Sequence, residues 1–488
     1  MILSLLLFSG TVLASESTEA QKADEGALYG QTRFVASHLS DFAVDAEGTK
    51  IGQTAWFDAR ARVGATMPFF LGTLDTEWEI NAPQLFGDMW TIPGIEDERQ
   101  RDARILQILP RKLSITTQAG PYQVSAGLTT SHWGLGLLAN DGAHPDWWGR
   151  SDFGDRVIRL RATRLPFSSK APHRAELFTT AAIDLVVADD LGRLDAGQIA
   201  GQGILSALWR HKDRGQWGAY VVLRHQRERD RSRQTTALAT DAFAQLNWSV
   251  GSWTLETSGE AALLLGNTNR ATTYTSRTGQ NVAQFGATGL VALHAPEKRF
   301  TARLRAAYGT GDGQPDNGVA SNFLFDRDFS AGMILFDQFK GGVEAAAYQQ
   351  LIDPDVSGQP PDGAEALVTE GAFQSASFVQ PAIAFSPISW GQARLGATLI
   401  WSTAPMSQPF YTYRAGGSPR NHLNAPVDGN YLGTEINWSV TFMNMADTSA
   451  RSAMLDLQFG HLFTGNPIQA GGGPQRIHHA MAIVRTEW

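Results

Sequence analysis

Apolar and polar residues alternate along much of this sequence, in segments as long as a strand that crosses a membrane. In residues 74–80 an apolar row alternates with acids that include Glu77 and Glu79, and residues 300–308 repeat the pattern with Arg303 on the polar side. A strand of period two turns one face toward an apolar phase and the other toward water. The segments run to about 9–13 residues, close to the length that a tilted strand needs to cross a bilayer.

Composition excludes several other classes of protein. Beyond the first residues there is no apolar run of about 18 residues, which excludes membrane-spanning helices. Because 43% of the residues are hydrophobic and 49 are glycines, the apolar content has to be spread thinly, as it is at every second residue of a transmembrane barrel. The absence of cysteine excludes a disulfide framework and thiolate metal sites. A net charge of −8 argues against binding to nucleic acid.

The connections between the alternating segments are short and long in turn, which is typical of barrels with short periplasmic turns and long outer loops. A sheet in lipid must close, because an open edge leaves backbone groups without partners. We therefore predict one all-β domain, a closed antiparallel transmembrane β-barrel of about 18–20 strands. The segments number about 20, although about 18 fits equally well. This interpretation takes residues 338–341 as a short turn and residues 309–328 and 353–373 as two separate long loops.

The N-terminus has the pattern of a secretory signal. An apolar run over residues 2–8 is followed by Val12 and Ala14, which suit signal-peptidase cleavage, although no Lys or Arg precedes the run. We predict a signal peptide over residues 1–14, a short periplasmic leader over residues 15–28 and the barrel over residues 29–488. The last strand alternates up to an aromatic residue, Trp488. In this it resembles the last strand of Gram-negative outer-membrane barrels, and the resemblance implies that Trp488 serves as the assembly signal.

Charged residues on the polar faces of the strands are the candidate lining of a pore. An ionised group on the lipid face costs about 2–4 kcal/mol near the bilayer midplane, so these residues should point inward. Only seven of the 40 basic residues are Lys, and Arg forks onto carboxylates and phosphates. The charges either brace a wet interior in pairs or line a path for anionic solutes. The candidates are Arg60, Arg62, Asp75, Glu77, Glu79, Arg159, Arg161, Glu256, Glu260, Arg303, Arg305 and Glu435.

The long loop over residues 130–155 is the most unusual segment, because its aromatic residues and glycines are uncommon in a solvated loop. It is interpreted as an ordered structural loop, a pore constriction that folds back into the lumen, or a dedicated ligand or metal site. Its candidate residues are Trp133, Asn140, Asp141, Trp147, Trp148, Asp152 and Asp155. We assign no metal and no cofactor.

Two segments carry a family resemblance. Residues 437–465, with the run Leu-Asp-Leu-Gln-Phe-Gly-His-Leu-Phe-Thr-Gly, resemble the closing hairpin of alginate-export-type outer-membrane barrels. Residues 133–142 and 152–157, with Trp-Gly-Leu-Gly-Leu-Leu-Ala-Asn-Asp-Gly and Asp-Phe-Gly-Asp-Arg-Val, resemble a family of predicted outer-membrane proteins of unassigned function. The resemblance implies a wide barrel of the porin or exporter kind.

The function that this sequence predicts is a porin-like channel in the outer membrane for passive passage of small hydrophilic solutes, which include anionic solutes if the arginines line the path. The alternatives are an exporter of an alginate-like polysaccharide and a structural or surface-anchoring barrel. No Gly-x-Ser-x-Gly or His-Glu-x-x-His motif is present, and we predict no enzyme and no catalytic residue. The expected partners are outer-membrane lipid and lipopolysaccharide, the barrel-assembly machinery through the C-terminal strand, and small hydrophilic solutes or an anionic glycan; nucleic acid is not expected.

Overall fold

The computed structural model describes residues 26–51, 54–86, 107–151, 153–165, 176–212, 214–229, 232–270, 276–358, 369, 371–445 and 452–488. The predicted signal peptide and most of the predicted leader lie outside these ranges. The first strand begins at Ala27, two residues before the predicted start of the barrel.

Eighteen long strands in the described part of the chain form one antiparallel sheet in chain order. They are β1 Ala27–Leu39, β2 Ala55–Phe69, β3 Gly72–Phe86, β4 Gln107–Ala119, β5 Tyr122–Thr130, β6 Arg156–Arg164, β7 Glu176–Asp189, β8 Gln198–His211, β9 Gly215–Glu228, β10 Gln234–Val250, β11 Trp253–Thr268, β12 Gln280–His294, β13 Phe300–Gly309, β14 Ala376–Ile388, β15 Gly391–Ser402, β16 Tyr431–Met445, β17 Ser452–Thr464 and β18 Arg476–Glu487. Two-residue strands at Gly192–Arg193 and Val319–Ala320 pair with the ends of β7 and β12.

The sheet closes on itself because β1 pairs with β18, from Gln31 opposite Glu487 to Leu39 opposite His479. The backbones of Gly30 and Trp488 extend the ladder by exchanging two hydrogen bonds of 2.7 and 3.0 Å. Closure leaves no open edge, which is the condition for a sheet in lipid. The closed antiparallel barrel predicted from the alternation is therefore confirmed.

The outward face of the barrel is apolar. Ile183, Leu205 and Leu223 point outward from β7, β8 and β9 and are 59–69% exposed. Trp209 and Trp217 stack with ring centroids 5.8 Å apart at one end of β8 and β9, where an aromatic girdle belongs. Within the described residues, no helix has the length and hydrophobicity needed to span a bilayer.

The connections at one end of the barrel are tight. The turn Gly251-Ser252 joins β10 to β11, and Gly251 takes a positive φ of 63° there, a conformation that two-residue hairpin turns require.

At the other end the loops are long. The prediction of two loops separated by a hairpin was wrong for residues 329–352. This segment contains the helix α1, Gly341–Ile352, preceded by a helical turn over Leu335–Lys340. A helix forms there in place of two paired strands, because the run Gly-Gly-Val-Glu-Ala-Ala-Ala contains strong helix formers in its Glu and Ala residues. This reduces the count from about 20 strands to 18.

Three shorter helices lie in the same long loops: α2 Pro354–Ser357, α3 Pro409–Arg414 and α4 Asn466–Gln469. The largest buried apolar cluster lies inside the barrel. Residues of one long loop, among them Phe323, Phe325 and Phe339, pack there against inward-facing Val35 and Ile400 of the wall. The described residues of two segments thus fold into the lumen. We call those of residues 131–155 the first inward loop and those of residues 310–375 the second inward loop.

Candidate functional site

The first inward loop crosses the lumen from its stem on β5 and β6. On the β10–β11 side, Trp133 donates through Nε1 to Asp241 at 3.0 Å, and its ring packs edge-on against Tyr220 and Phe243. The carboxylate of Glu260 accepts hydrogen bonds from the backbone amides of Leu135 and Leu137. Because its side chain accepts two backbone amides of the loop, Glu260 anchors the loop to the wall.

The far part of this loop is held by an arginine pair on β13. Arg303 grips both oxygens of Asp146 at 2.7 and 3.0 Å, and Arg305 reaches one of them at 2.6 Å. The guanidinium of Arg303 also lies 4.0 Å from the ring centre of Trp147. Burial alone would raise the pKa of Asp146, but the two arginines outweigh it and hold that pKa below its ordinary value. Asp146 is therefore an anion that arginines clamp.

A second group of arginines, on β1, β2 and β4, binds backbone carbonyls of the same loop. Arg33 and Arg60 both donate to the carbonyl of Ser151, at 3.3 and 3.1 Å. Arg62 donates to Gly142 at 3.1 Å, and Arg111 donates to Asp141 at 2.6 Å. In return, Arg150 of the loop forms a bidentate pair with Asp58, at 2.7 and 2.9 Å. The loop therefore bonds with walls on opposite sides of the lumen.

Two of these arginines also bind the acidic row of β3. Arg62 donates to Glu79 at 2.6 Å, and Arg111 donates to Glu77 at 2.7 Å and to Glu79 at 3.3 Å. All four side chains are less than a tenth exposed. Removing one charge from such a buried network leaves its partner buried without a counter-charge, at a cost of about 3–5 kcal/mol.

The second inward loop is held by Glu435 on β16. Its carboxylate accepts hydrogen bonds from the consecutive backbone amides of Met333, Ile334 and Leu335. The carbonyl of Ser330 accepts from Arg305 at 2.6 Å. Arg305 therefore binds both inward loops.

The two inward loops also bind each other. Asp328 accepts from the backbone amides of Phe153 at 3.1 Å and Gly154 at 2.9 Å. The amide of Asp326 donates to the carbonyl of Leu137 at 2.9 Å. The loops therefore form one packed unit inside the barrel.

The predicted lining residues fall into two groups. Eight bind the inward loops or each other and are at most 8% exposed: Arg60, Arg62, Glu77, Glu79, Glu260, Arg303, Arg305 and Glu435. The other four, Asp75, Arg159, Arg161 and Glu256, also face inward but are only half-buried. Arg159 forms a bidentate pair with Asp184, with both distances 2.7 Å, and Arg161 donates to Ser125 at 3.2 Å. A role for these residues along a solute path stays a prediction.

Each described candidate in the first inward loop has a structural setting. Trp148 is 1% exposed, and Asn140 is buried, with its side-chain oxygen accepting from the amide of Gly142 at 3.1 Å. Burial, followed by the charge of Asp189, raises the pKa of Asp155 well above its ordinary value. Asp152 lies outside the described residues.

The sequence interpretation missed Arg33, Asp58, Arg111 and Asp184. The structure places Arg111 in a register irregularity, because Glu77 pairs with Lys112 while the next residue, Trp78, pairs with Pro110. A residue that the ladder skips breaks the alternation on which the prediction rested. Glycines at inward-facing strand positions were a signal in the sequence that loops pack against the inner wall. Gly286 faces Phe323, and a Cβ there would lie 2.2 Å from the ring.

No protein-family model matches the chain, and no curated protein matches its sequence. Solved structures do match. The barrel is similar to OccAB1 of Acinetobacter baumannii, with a TM-score of 0.52 and 10% identity over 94% of this chain and 96% of that one. It is similar to OccK2 (OpdF) of Pseudomonas aeruginosa in complex with glucuronate, with a TM-score of 0.52 and 11% identity over 95% and 98%. OccD3 (OpdP) of the same organism gives 0.51 and 9% over 95% and 91%.

What is shared is the fold. It is the closed antiparallel β-barrel, and the likeness does not extend to the resemblance to alginate-export barrels.

Proposed function

We propose that the chain is an outer-membrane channel for passive passage of small hydrophilic solutes, with a preference for anions. The observation that carries the proposal is the crossing of the lumen by the first inward loop. Bonds from opposite walls hold that loop in place, which narrows the lumen at a fixed position. A narrowed polar lumen selects solutes by size and by charge.

The wall formed by β5–β8 supports a solute path beside the loops. Its inward-facing polar side chains are half-buried, in contrast to the side chains that the loops cover. They are Gln123, Ser125, Arg159, Arg161, Thr180 and Gln202. Arg159 already pairs with Asp184 through two nitrogens. Arg161 is the other cation in this set, and its guanidinium presents a fork of donors that matches a carboxylate.

The comparison with OccK2 (OpdF) supports the same solute class. That protein was solved in complex with glucuronate, a small hydrophilic carboxylate. We carry the solute class, and not the individual solute, to this chain. No described feature favours a polysaccharide exporter, an enzyme or a purely structural barrel. Lipopolysaccharide and the barrel-assembly machinery, the latter through Trp488, remain predicted partners.

The test is single-channel conductance in a planar bilayer, with the reversal potential measured under a salt gradient. We expect a steady conductance with anion preference, and Arg161→Ala should reduce that preference. Arg161 suits the test better than Arg303 or Arg305, because those two hold the first inward loop. The matched control is Arg299→Ala, since Arg299 lies in a tight turn outside the lumen and is 72% exposed. Folded protein without conductance, or with cation preference, would overturn the proposal.

A further inference from the structure

Three side chains of metal-ligand type converge within the first inward loop. His132, Asp141 and His144 each offer one ligand atom, and these atoms all lie within 4.8 Å of one another. The Nδ1 atom of His144 is 2.9 Å from Oδ1 of Asp141, and Nδ1 of His132 is 3.9 Å from the same oxygen. The two imidazole rings lie next to each other, with centroids 4.1 Å apart and their planes tilted by 32°.

His132 supplies a second and independent observation. Its side chain is only 7% exposed, and its buried Nδ1 has no hydrogen-bond partner. Buried polar atoms in native proteins nearly always have a partner, so an orphan atom calls for an explanation. Its distance of 3.9 Å from Asp141 is too long for a hydrogen bond. The distance suits two ligands of one ion, because ligands about 2 Å from a tetrahedral metal lie roughly 3.3 Å apart.

The neighbouring cations do not point into the cluster. Arg111 donates to the backbone carbonyl of Asp141 and Arg62 to that of Gly142. Both arginines are paired with the acids Glu77 and Glu79. Their charges are therefore largely balanced, and their fixed positions hold the backbone that carries Asp141.

We propose that His132, Asp141 and His144 bind one divalent transition-metal ion, for which Zn²⁺ is the probe. Two imidazoles and one carboxylate form a set that Zn²⁺ accepts, whereas Mg²⁺ and Ca²⁺ prefer oxygen ligands throughout. His144 is 39% exposed, which gives the ion a route of entry and leaves a fourth position for water. The sequence analysis kept a metal site in this loop as one interpretation but assigned no metal. It does not depend on the proposed transport function.

Bound metal would link the start of the loop to its middle. His132 lies two residues after the end of β5, whereas Asp141 and His144 lie where Arg62 and Arg111 hold the loop. The ion would thus cross-link two parts of the loop, close to the place where the loop contacts strands β2 and β4.

The experiment is isothermal titration of chelator-treated full-length protein, in detergent and a non-coordinating buffer, with ZnCl₂. We expect one ion at the site and a loss of affinity of at least about tenfold in His144→Ala and Asp141→Asn. His144 is partly exposed and Asp141→Asn preserves size, so both variants should keep the heat-modifiable gel migration of the folded barrel. Co²⁺ provides a second readout, because its visible absorption reports nitrogen ligands and should be lost in His144→Ala.

The control is His478→Ala. His478 forms the other close histidine pair of the described residues, with its Nδ1 2.6 Å from Nδ1 of His461, and lies on β18 away from the inward loops. We expect this variant to retain the site. Unchanged Zn²⁺ affinity in both loop variants, absence of binding by the wild-type protein, or loss of binding in the control would overturn the proposal.

Discussion

The indole ring of Trp148 lies directly over Gly396, so close that a Cβ at that glycine would be 2.5 Å from the ring. Trp148 belongs to the first inward loop and Gly396 to β15, and the two residues are 248 positions apart in the sequence. The glycine therefore leaves the space that the largest fully buried side chain of the loop occupies.

We expect Gly396→Val to displace Trp148. Forcing extra volume into a packed site costs about 1–3 kcal/mol, so the tip of the loop should leave its seat. Limited trypsin digestion measures this through faster cleavage after Arg150. The control is Gly203→Val, because nothing lies within 4 Å of a Cβ at Gly203. Equal cleavage rates in both variants would show that the seat does not hold the loop.

We expect Arg303→Ala combined with Arg305→Ala to free the loop and raise single-channel conductance. The buried Asp146 loses its clamp, and stranding one member of a buried pair costs about 3–5 kcal/mol. Asp146→Asn should raise conductance in the same direction, since it removes the anion that the arginines hold. If the double variant keeps the wild-type conductance and changes only selectivity, the arginines line the path and do not hold the loop.

Glu260 and Glu435 offer a matched pair of variants. Glu260→Ala leaves the amides of Leu135 and Leu137 without an acceptor, and Glu435→Ala does the same for Met333, Ile334 and Leu335. Each unsatisfied buried group costs about 1–3 kcal/mol. Hydrogen exchange measured by mass spectrometry should show protection lost over residues 135–137 in the first variant and over residues 333–335 in the second. Protection lost over neither segment would contradict the assigned anchoring.

The packing of the second inward loop should depend on pH through Asp326. Burial, followed by the charges of Asp190 and Asp155, raises the pKa of Asp326 well above its ordinary value. The packed loop keeps a proton that a released loop gives up above about pH 4. Stability is therefore fully present below that pH and is lost as pH rises through the raised pKa.

Asp326→Asn should reduce this dependence but not abolish it, because burial also raises the pKa of Asp155 and that of Asp190. At each pH the rate of trypsin cleavage after Arg327 is compared between wild type and variant, which cancels the pH response of the protease. The two rates should be similar at pH 5, and the wild type should be cleaved faster at pH 9. A ratio that stays constant with pH would show that Asp326 does not ionise in the packed loop.

The alternation of residues was enough to predict the closed barrel, because one residue in two must suit lipid and this requirement is local. The inward direction of Arg303, Arg305 and Glu435 followed from the same reasoning. The binding partners of these side chains could not be predicted in this way. The partner of Arg303 is 157 positions away in the sequence, and that of Glu435 is 102 positions away. The helix α1 was read as part of a hairpin, because short apolar runs look alike in strands and in buried helical segments.

The metal-ligand cluster could not be predicted for a related reason. His132, Asp141 and His144 do not follow the spacing of a known motif, and they meet only because the loop turns back on itself inside the barrel. The sequence likewise gives no sign that Asp146 pairs with two arginines, because Arg303 and Arg305 lie in one alternating segment and Asp146 lies in a distant loop.

Asp328 joins the two inward loops through the amides of Phe153 and Gly154, and Arg305 touches both. The two inward loops therefore form one packed unit inside the lumen, and they cannot move independently of each other. A voltage, a solute or a bound ion that shifts either loop must carry the other with it, so opening should occur in one step between two conductance levels.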